Sequence, residues 1–278
     1  MKHFRWPFPW RIHSVDNLKH VARKRFGQNF LHDQVVIERI IRRFNPQPGE
    51  HIVEIGPGLG ALTWPLLEQL DELHAIELDR DLVARFKSDP RAQGRLHLHQ
   101  ADALSFDFSN LLNNSGKLRI IGNLPYNIST PLMFHLLDFS SVIEDMMFML
   151  QKEVVQRITA APGGKNYGRL SVMVQAQCAV EKVLDVAAGA FTPPPKVESA
   201  VVHLVPYSNP VVESRLTDAF ARIVKAAFAQ RRKTLRNNLK GMLTESAIKS
   251  AGIEPSARAE TLSVEDFIVL ASLYLQTG

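Results

Sequence analysis

From Gly49 onward, short apolar runs bounded by glycine, proline or polar clusters alternate with amphipathic stretches of helical period, and few folds accommodate that alternation. The runs are His51 to Ile55, Leu73 to Leu78, Leu96 to His99, Leu118 to Ile121 and Met146 to Leu150. Runs of this kind are buried on both faces, so they read as parallel strands covered by crossover helices. Two of the helices are Asp81 to Lys87, which Asp79 can cap, and Thr130 to Leu137. The expected architecture is α/β, a doubly wound domain.

After Leu150 the order changes. A helical stretch through Gln156, a glycine-rich turn at Pro162 to Gly164 and an apolar helix around Leu170 to Cys178 come next. Val180 to Val186 and Ser199 to Val205 then read as extended segments joined by the proline-rich loop Phe191 to Pro195, and they predict an antiparallel edge on the sheet. The polar, proline-flanked Pro206 to Pro210 marks a boundary, beyond which the chain has helical period and no strand signal. This divides the chain into an extension over residues 1–19, expected to be disordered, an α/β domain over 20–206 and a small all-helical domain over 207–278. With 278 residues, 45% of them hydrophobic, there is material for both cores.

The single Cys178 cannot close an intramolecular disulfide, and no cluster of Cys and His has metal-ligand spacing. A cytoplasmic chain with no metal, and a monomer, is expected. His97 and His99 alternate on one strand face but have no third ligand in sight. Nowhere do roughly 18 apolar residues run together, which removes a membrane span. Arg5, Pro7 and Pro9 interrupt the apolar start that a secretory signal needs. The 33 Lys and Arg against 28 Asp and Glu leave a formal charge of +5, which suits a polyanionic partner without requiring one.

Candidate chemistry collects at the carboxyl ends of the strands. Val53-Glu54-Ile55-Gly56-Pro57-Gly58-Leu59-Gly60 ends the first strand and opens a helix. Glycines there let the backbone approach a ligand, and the helix N-terminus favours negative charge. Such a turn alone also suits dinucleotide enzymes and plain structural turns. Glu77, near the end of the next strand, can accept from both ribose hydroxyls of a nucleoside cofactor, although by itself it reads more simply as a solvated acid. Asp102, after the third strand, can accept from the amino group of an adenine. Together these acceptors favour a methyl donor over NAD, because a pyrophosphate would find little here to neutralise it.

The fourth strand leads into Gly122-Asn123-Leu124-Pro125-Tyr126. An adenine amine is a poor nucleophile because its nitrogen lone pair is delocalised into the ring. Two acceptors that take its N–H bonds, here the Asn123 side-chain oxygen and the Leu124 carbonyl, would turn that lone pair toward a sulfonium methyl. Pro125 fixes the backbone and Tyr126 offers a flat face for the base.

With these motifs in one order the chain resembles the bacterial ribosomal RNA adenine dimethyltransferases of the KsgA type, from Val21 to near its end. The matching stretches are Ala22 to Leu31, Val53 to Gly60, Ile76 to Asp81, Gly122 to Pro131, Phe191 to Val197 and Gln230 to Thr234. The resemblance implies a Rossmann-like, S-adenosylmethionine-dependent methyltransferase domain with a small all-helical C-terminal domain. It also implies dimethylation of two adjacent adenosines in a hairpin loop near the 3′ end of 16S rRNA, within an assembling 30S particle. By the family pattern Asn29, Leu31, Gly56, Glu77, Asp102 and Asn123 hold the cofactor, and Asn123, Leu124 and Tyr126 meet the target adenine. Phe191, before three prolines, is then the second face of a sandwich around the base, where stacking contributes on the order of 1 to 3 kcal/mol. A core role is its alternative.

Arg222, Lys225, Arg232, Arg236 and Lys240 recur at helical spacings, so one helix would line them along a single face, with Arg231 and Lys233 close by. A solvated surface is the plain reading, and the resemblance turns it toward RNA phosphates. Arg23, Lys24 and Arg25 precede the lid segment and are expected to hold RNA near the site. Two other functions use the same fold: methylation of large-subunit rRNA, and a non-enzymatic role in ribosome assembly. Cys178 and the methionines Met146, Met147 and Met149 read as core.

Overall fold

The computed structural model describes residues 28–112 and 116–277, so the extension and Arg23, Lys24 and Arg25 lie outside the described residues. The strands are β1 (Phe30–Leu31), β2 (His51–Ile55), β3 (Leu73–Glu77), β4 (Leu96–Gln100), β5 (Leu118–Asn123), β6 (Ile143–Gln151), β7 (Cys178–Val186), β8 (Phe191–Thr192) and β9 (Ser199–Pro206). Seven of them make one sheet in the order β4-β3-β2-β5-β6-β9-β7, and β1 pairs with β8 apart from it. Strands β2 to β6 run parallel, while β9 runs antiparallel to both β6 and β7. Every predicted strand is present. The longest extension beyond prediction is at β6, which is held by β5 on one side and β9 on the other.

The central strands β2, β5 and β6 are largely apolar because they face two cores. Val53, Ile120, Met146 and Phe148 point into a cluster with α4 (Ser129–Leu137) and α5 (Lys152–Ile158). Their neighbours Ile52, Ile121, Met147 and Met149 point into another with α1 (Gln34–Phe44) and α2 (Thr63–Leu67). Helix α3 (Arg80–Ser88) starts where expected, with the Asp79 carboxylate accepting from the Asp81 amide at 3.0 Å.

Two expectations for helices fail. The apolar helix α6 (Arg169–Gln175) stops short of Cys178, which opens β7 and pairs with Pro206. Cys178 is core all the same: it is fully buried, and burial pushes its thiol up to about 12. The basic stripe does not lie on one helix. Arg222 and Lys225 sit on α7 (Thr217–Ala227), Arg231, Arg232 and Lys233 in a turn, Arg236 on the short α8 (Leu235–Asn238), and Lys240 beyond it. The break has a tertiary cause. The Asn238 side-chain amide donates to the Ala227 carbonyl at 2.6 Å, and the first amides of α8 donate to Ala257 and Pro255. These partners replace the helical ones.

The remaining helices, α9 (Glu245–Ser250) and α10 (Val264–Thr277), join α7 and α8 in a third apolar cluster that also takes in Tyr167, Val172 and Ala176. On the sheet, His97 and His99 face one way and stack on His74, at ring-centroid distances of 4.9 and 5.3 Å from it. Burial, then the neighbouring imidazoles, lower His74 to about 4.

Helix α1 is pinned to the sheet by one cation. The Arg119 guanidinium donates to both Asp145 oxygens at 2.8 and 2.9 Å, to Glu50 at 2.8 Å and to the Phe44 carbonyl at 2.8 Å, and it lies 4.3 Å from the Phe44 ring centre. Arg119 and Asp145 keep only 13% and 8% of their side-chain surface exposed, so the pair is poorly screened. Asp145→Ala leaves this charge half-paired, removes the 2.8 Å partner of His203 as well, and should cost about 3 kcal/mol of stability. Denaturant titration is the check, and a loss within error would mean that Glu50 and the backbone suffice.

Candidate active site

Strand β2 lies between β3 and β5, so the chain leaves its carboxyl end toward one side and the end of β5 toward the other. A crevice must open between those two exits. It holds a cavity of about 350 Å³, lined by Asn29, Leu31, Gly56, Glu77, Asp102 and Asn123, all six of the residues expected at the cofactor. Leu124 and Tyr126 line it as well. Its acidic lining residues are Glu54, Glu77 and Asp102, and no Lys, Arg or His lines it among the described residues.

The carboxylates are held by the backbone. Glu77, 8% exposed at the end of β3, accepts from the Asp79 amide at 2.8 Å and from the Gly58 amide at 3.4 Å. Burial pushes its pKa up, and those two amides pull it back. The approach of Gly58 depends on the turn: Gly56 and Gly58 have φ of 69° and 58°, in the left-handed region that a side chain resists. Asp102 is exposed and accepts from the Leu104 amide at 3.0 Å, which fixes its carboxylate at the cavity wall.

At the end of β5 the Asn123 side-chain nitrogen donates to the Asn29 carbonyl at 3.0 Å. A carbonyl can only accept, so this bond decides which way the amide faces and leaves the Asn123 oxygen as the acceptor on the other side. The Leu124 amide donates to the Met149 carbonyl at 3.2 Å. The Tyr126 hydroxyl lies 2.7 Å from the Ser199 hydroxyl, so the ring is tied to the start of β9, and burial keeps its phenol protonated by raising its pKa. The oriented Asn123 oxygen, with the Leu124 carbonyl next along the chain and a half-buried aromatic face beside it, can receive a planar base through its amino group.

Phe191 pairs with Leu31, which lines the cavity. Its ring is 2% exposed, packs in the cluster of Leu31, Val186 and Ala190, and does not line the cavity. The pairing of β8 with β1 draws it inward, with Leu31 opposite Phe191. The basic residues also divide. Arg231 donates to Glu260 at 3.0 Å and to the Lys165 carbonyl at 2.6 Å, and Arg236 lies 3.8 Å from Glu245. Arg222, Lys225, Arg232, Lys233 and Lys240 are exposed, and Arg231 and Arg236 keep 62% and 48% of their side-chain surface exposed as well.

Fold and site together are those of a Rossmann-like methyltransferase. The model of the ribosomal RNA adenine dimethylase family matches residues 19–276, and the chain belongs to that family. It is 56% identical to a ribosomal RNA small subunit methyltransferase A of Acinetobacter baylyi, over 95% of this chain and 97% of that protein. It is 54% identical to a protein of the same name from Nitrosococcus oceani, over 94% and 99%. Among solved structures, a dimethyladenosine transferase from Plasmodium falciparum superposes with a TM-score of 0.73 at 26% identity, covering 87% of this chain and 95% of that one. The 23S rRNA methyltransferase ErmE shares the fold, with a TM-score of 0.70 at 24% identity over 89% of this chain and all of that one.

Sequence reasoning passed over Glu54, although an acid inside an apolar strand just before the glycine turn is a signal. Its side chain is 2% exposed and accepts from the Thr63 hydroxyl at 2.7 Å. Burial pushes its pKa from 4.5 up to about 8, against the pull of Thr63 and with the help of Glu77. Unfolding therefore releases a proton from Glu54 between those two values, so this residue's contribution to stability is fully present below 4.5 and is lost as pH rises to about 8. Glu54→Gln keeps the Thr63 bond and should flatten this fall. Thermal unfolding of both proteins across about pH 5 to 8 reads the difference. Parallel curves would mean that Glu54 is ionised in the fold.

Proposed function

We propose that this chain transfers methyl groups from S-adenosylmethionine to the exocyclic amines of two adjacent adenosines in a hairpin loop near the 3′ end of 16S rRNA. The reading is carried by the Asn123 amide, held with its oxygen available as an acceptor at an acid-lined cavity. Asn123 and the Leu124 carbonyl accept the two N–H bonds of the amine and turn its lone pair out of the ring plane, while Tyr126 stacks on the base. No strong general base is needed, because an alkylated amine is itself acidic. A monomethylated amine keeps one N–H, which one acceptor can still hold, so a second transfer uses the same residues.

The cavity suits the donor. Glu77 and Asp102 favour a cation and offer a pyrophosphate little, and the cavity's size lies in the range of nucleoside-sized ligands. Glu77 accepts from the ribose hydroxyls, Asp102 from the adenine amine, and Asn29, Leu31, Gly56 and Asn123 complete the walls. When bound, S-adenosylmethionine supplies an electrophilic methyl group. The partner is small-subunit rRNA in an assembling 30S particle, in the cytoplasm, and the identities to small-subunit enzymes favour it over the large subunit. The domain over 207–278 binds RNA through Arg222, Lys225, Arg232, Lys233 and Lys240, and Arg23, Lys24 and Arg25 hold it near the crevice.

Incubation with labelled donor and unmethylated small subunits, followed by mass analysis of rRNA fragments, should find two adjacent dimethyladenosines. Transfer that stops at one methyl under excess donor, or that needs large-subunit RNA, would overturn the assignment. Replacing Arg222, Lys225, Arg232 and Lys233 together should weaken RNA binding and lower the log-log salt slope by roughly 0.7 to 0.9 for each phosphate no longer neutralised. An unchanged slope would mean that these cations only face solvent.

A further inference from the structure

We propose that Ser199 is a positioning residue for methyl transfer, whose buried hydroxyl holds the Tyr126 ring at the angle on which the target base stacks. This rests on the methyl-transfer reading, in which Tyr126 supplies a flat face, and it gives a role to a residue far from the Asn123 to Tyr126 tetrapeptide along the chain.

Burying a hydroxyl inside a strand is unfavourable unless it is bonded. Ser199 opens β9 with none of its surface exposed, and Ala200, Val201 and Val202 after it are buried and apolar. Its hydroxyl lies 2.7 Å from that of Tyr126, 73 residues away in sequence. The serine is a fixed point. It pairs with Gln151 of β6 on one side and with Val186 of β7 on the other, and the Lys152 amide donates to the Glu198 carbonyl just before it at 2.9 Å. Tyr126 is held at its backbone end too, where its carbonyl accepts from the Ser129 hydroxyl at 3.1 Å and the Ile128 amide donates to the Pro125 carbonyl at 3.2 Å.

Between those ends the ring keeps two torsions. Anchoring the phenolic oxygen sets the direction in which the ring points. Its tilt follows from conjugation: the phenolic oxygen shares a lone pair with the ring, so a partner is met best near the ring plane. A stacked base lies parallel to the face so chosen, and the amine that it brings to the Asn123 oxygen moves with it. Releasing the ring therefore displaces the reacting nitrogen without removing any group that touches it.

A double-mutant cycle in single-turnover methyl transfer tests this, with folding checked by circular dichroism and the affinities for RNA and donor measured alongside. Ser199→Ala should slow transfer about fivefold or more at saturating RNA and donor, with both affinities unchanged. Tyr126→Phe, which keeps the flat face and drops only the hydroxyl, should slow it by a similar factor. In the Tyr126→Phe background Ser199→Ala should cost less than about twofold more, because the bond is already gone. Should Ser199→Ala fail to fold, Ser199→Cys, which keeps the size and weakens the bond, carries the same cycle. Effects that multiply would mean that the two hydroxyls act separately, and would overturn the proposal. So would a folded Ser199→Ala protein with the parent rate, which would leave Ser199 as packing alone. A parent protein that transfers no methyl group overturns the methyl-transfer reading and the proposal with it, whereas an active parent leaves the decision to the cycle.

Discussion

The position of β2 between β3 and β5 is the constraint on which the rest of the molecule depends. It parts the loops that follow β2 and β5, and no crossover helix can close the gap. The candidate ligands of a nucleoside lie along that line: the glycine turn after β2, Glu77 at the end of β3, Asp102 after β4 and Asn123 at the end of β5. The floor of the gap is tight. A Cβ at Gly122 would stand 2.5 Å from the Ile55 carbonyl oxygen, so β2 and β5 approach to backbone contact just below the cavity. The site is thus open on one side and rigid on the other, which lets a bound nucleoside be oriented without a closing motion of the sheet.

Gathering acids in a half-buried crevice is costly, and the two inner ones meet the cost differently. Glu54 remains protonated near neutral pH, satisfied by Thr63. Glu77 is partly relieved by two backbone amides that prefer its charged form. Because Glu54 raises the cost of ionising nothing while neutral, it spares Glu77 a like charge at close range. The two residues differ in what the backbone offers them, and that difference leaves one acid for the fold and one for a ligand.

The strands, the parallel order and the antiparallel edge were legible in the sequence because burial on two faces writes a local pattern. So were Glu77, Asp102 and Asn123, each a polar residue at a strand end where packing gives it no reason to be. What was not legible depends on partners distant along the chain. Phe191 is buried by β1, a strand too short to have a period of its own. The helix expected to carry the basic stripe ends at Ala227 because Asn238 turns back to satisfy its carbonyl. Cys178 belongs to a strand because β9 is there to pair with it. Helical spacing survives across such breaks, so spacing alone could not reveal them.

The division among the basic residues bears on how RNA and crevice are held together. Arg231 bonds the turn before α8 to Glu260 and to the Lys165 carbonyl, and the Gly163 amide donates to the Glu260 carbonyl at 2.7 Å. Three loops are joined there, two of the helical part and one leading into α6. The third apolar cluster makes the same junction by packing Val172 and Ala176 against α7 and its neighbours. Helix α6 in turn leads directly into β7, at the edge of the sheet. Arg222 and Lys225, exposed on α7, are therefore fixed relative to the ends of β2 and β5 rather than carried on a loose appendage. On the proposed reading, RNA gripped by that helix is already placed with respect to Asn123, and the entropy of bringing an adenosine to the crevice is met partly by phosphates bound elsewhere. Arg231, 62% exposed, adds a surface ion pair to a junction that the apolar cluster and the Gly163–Glu260 backbone bond already make.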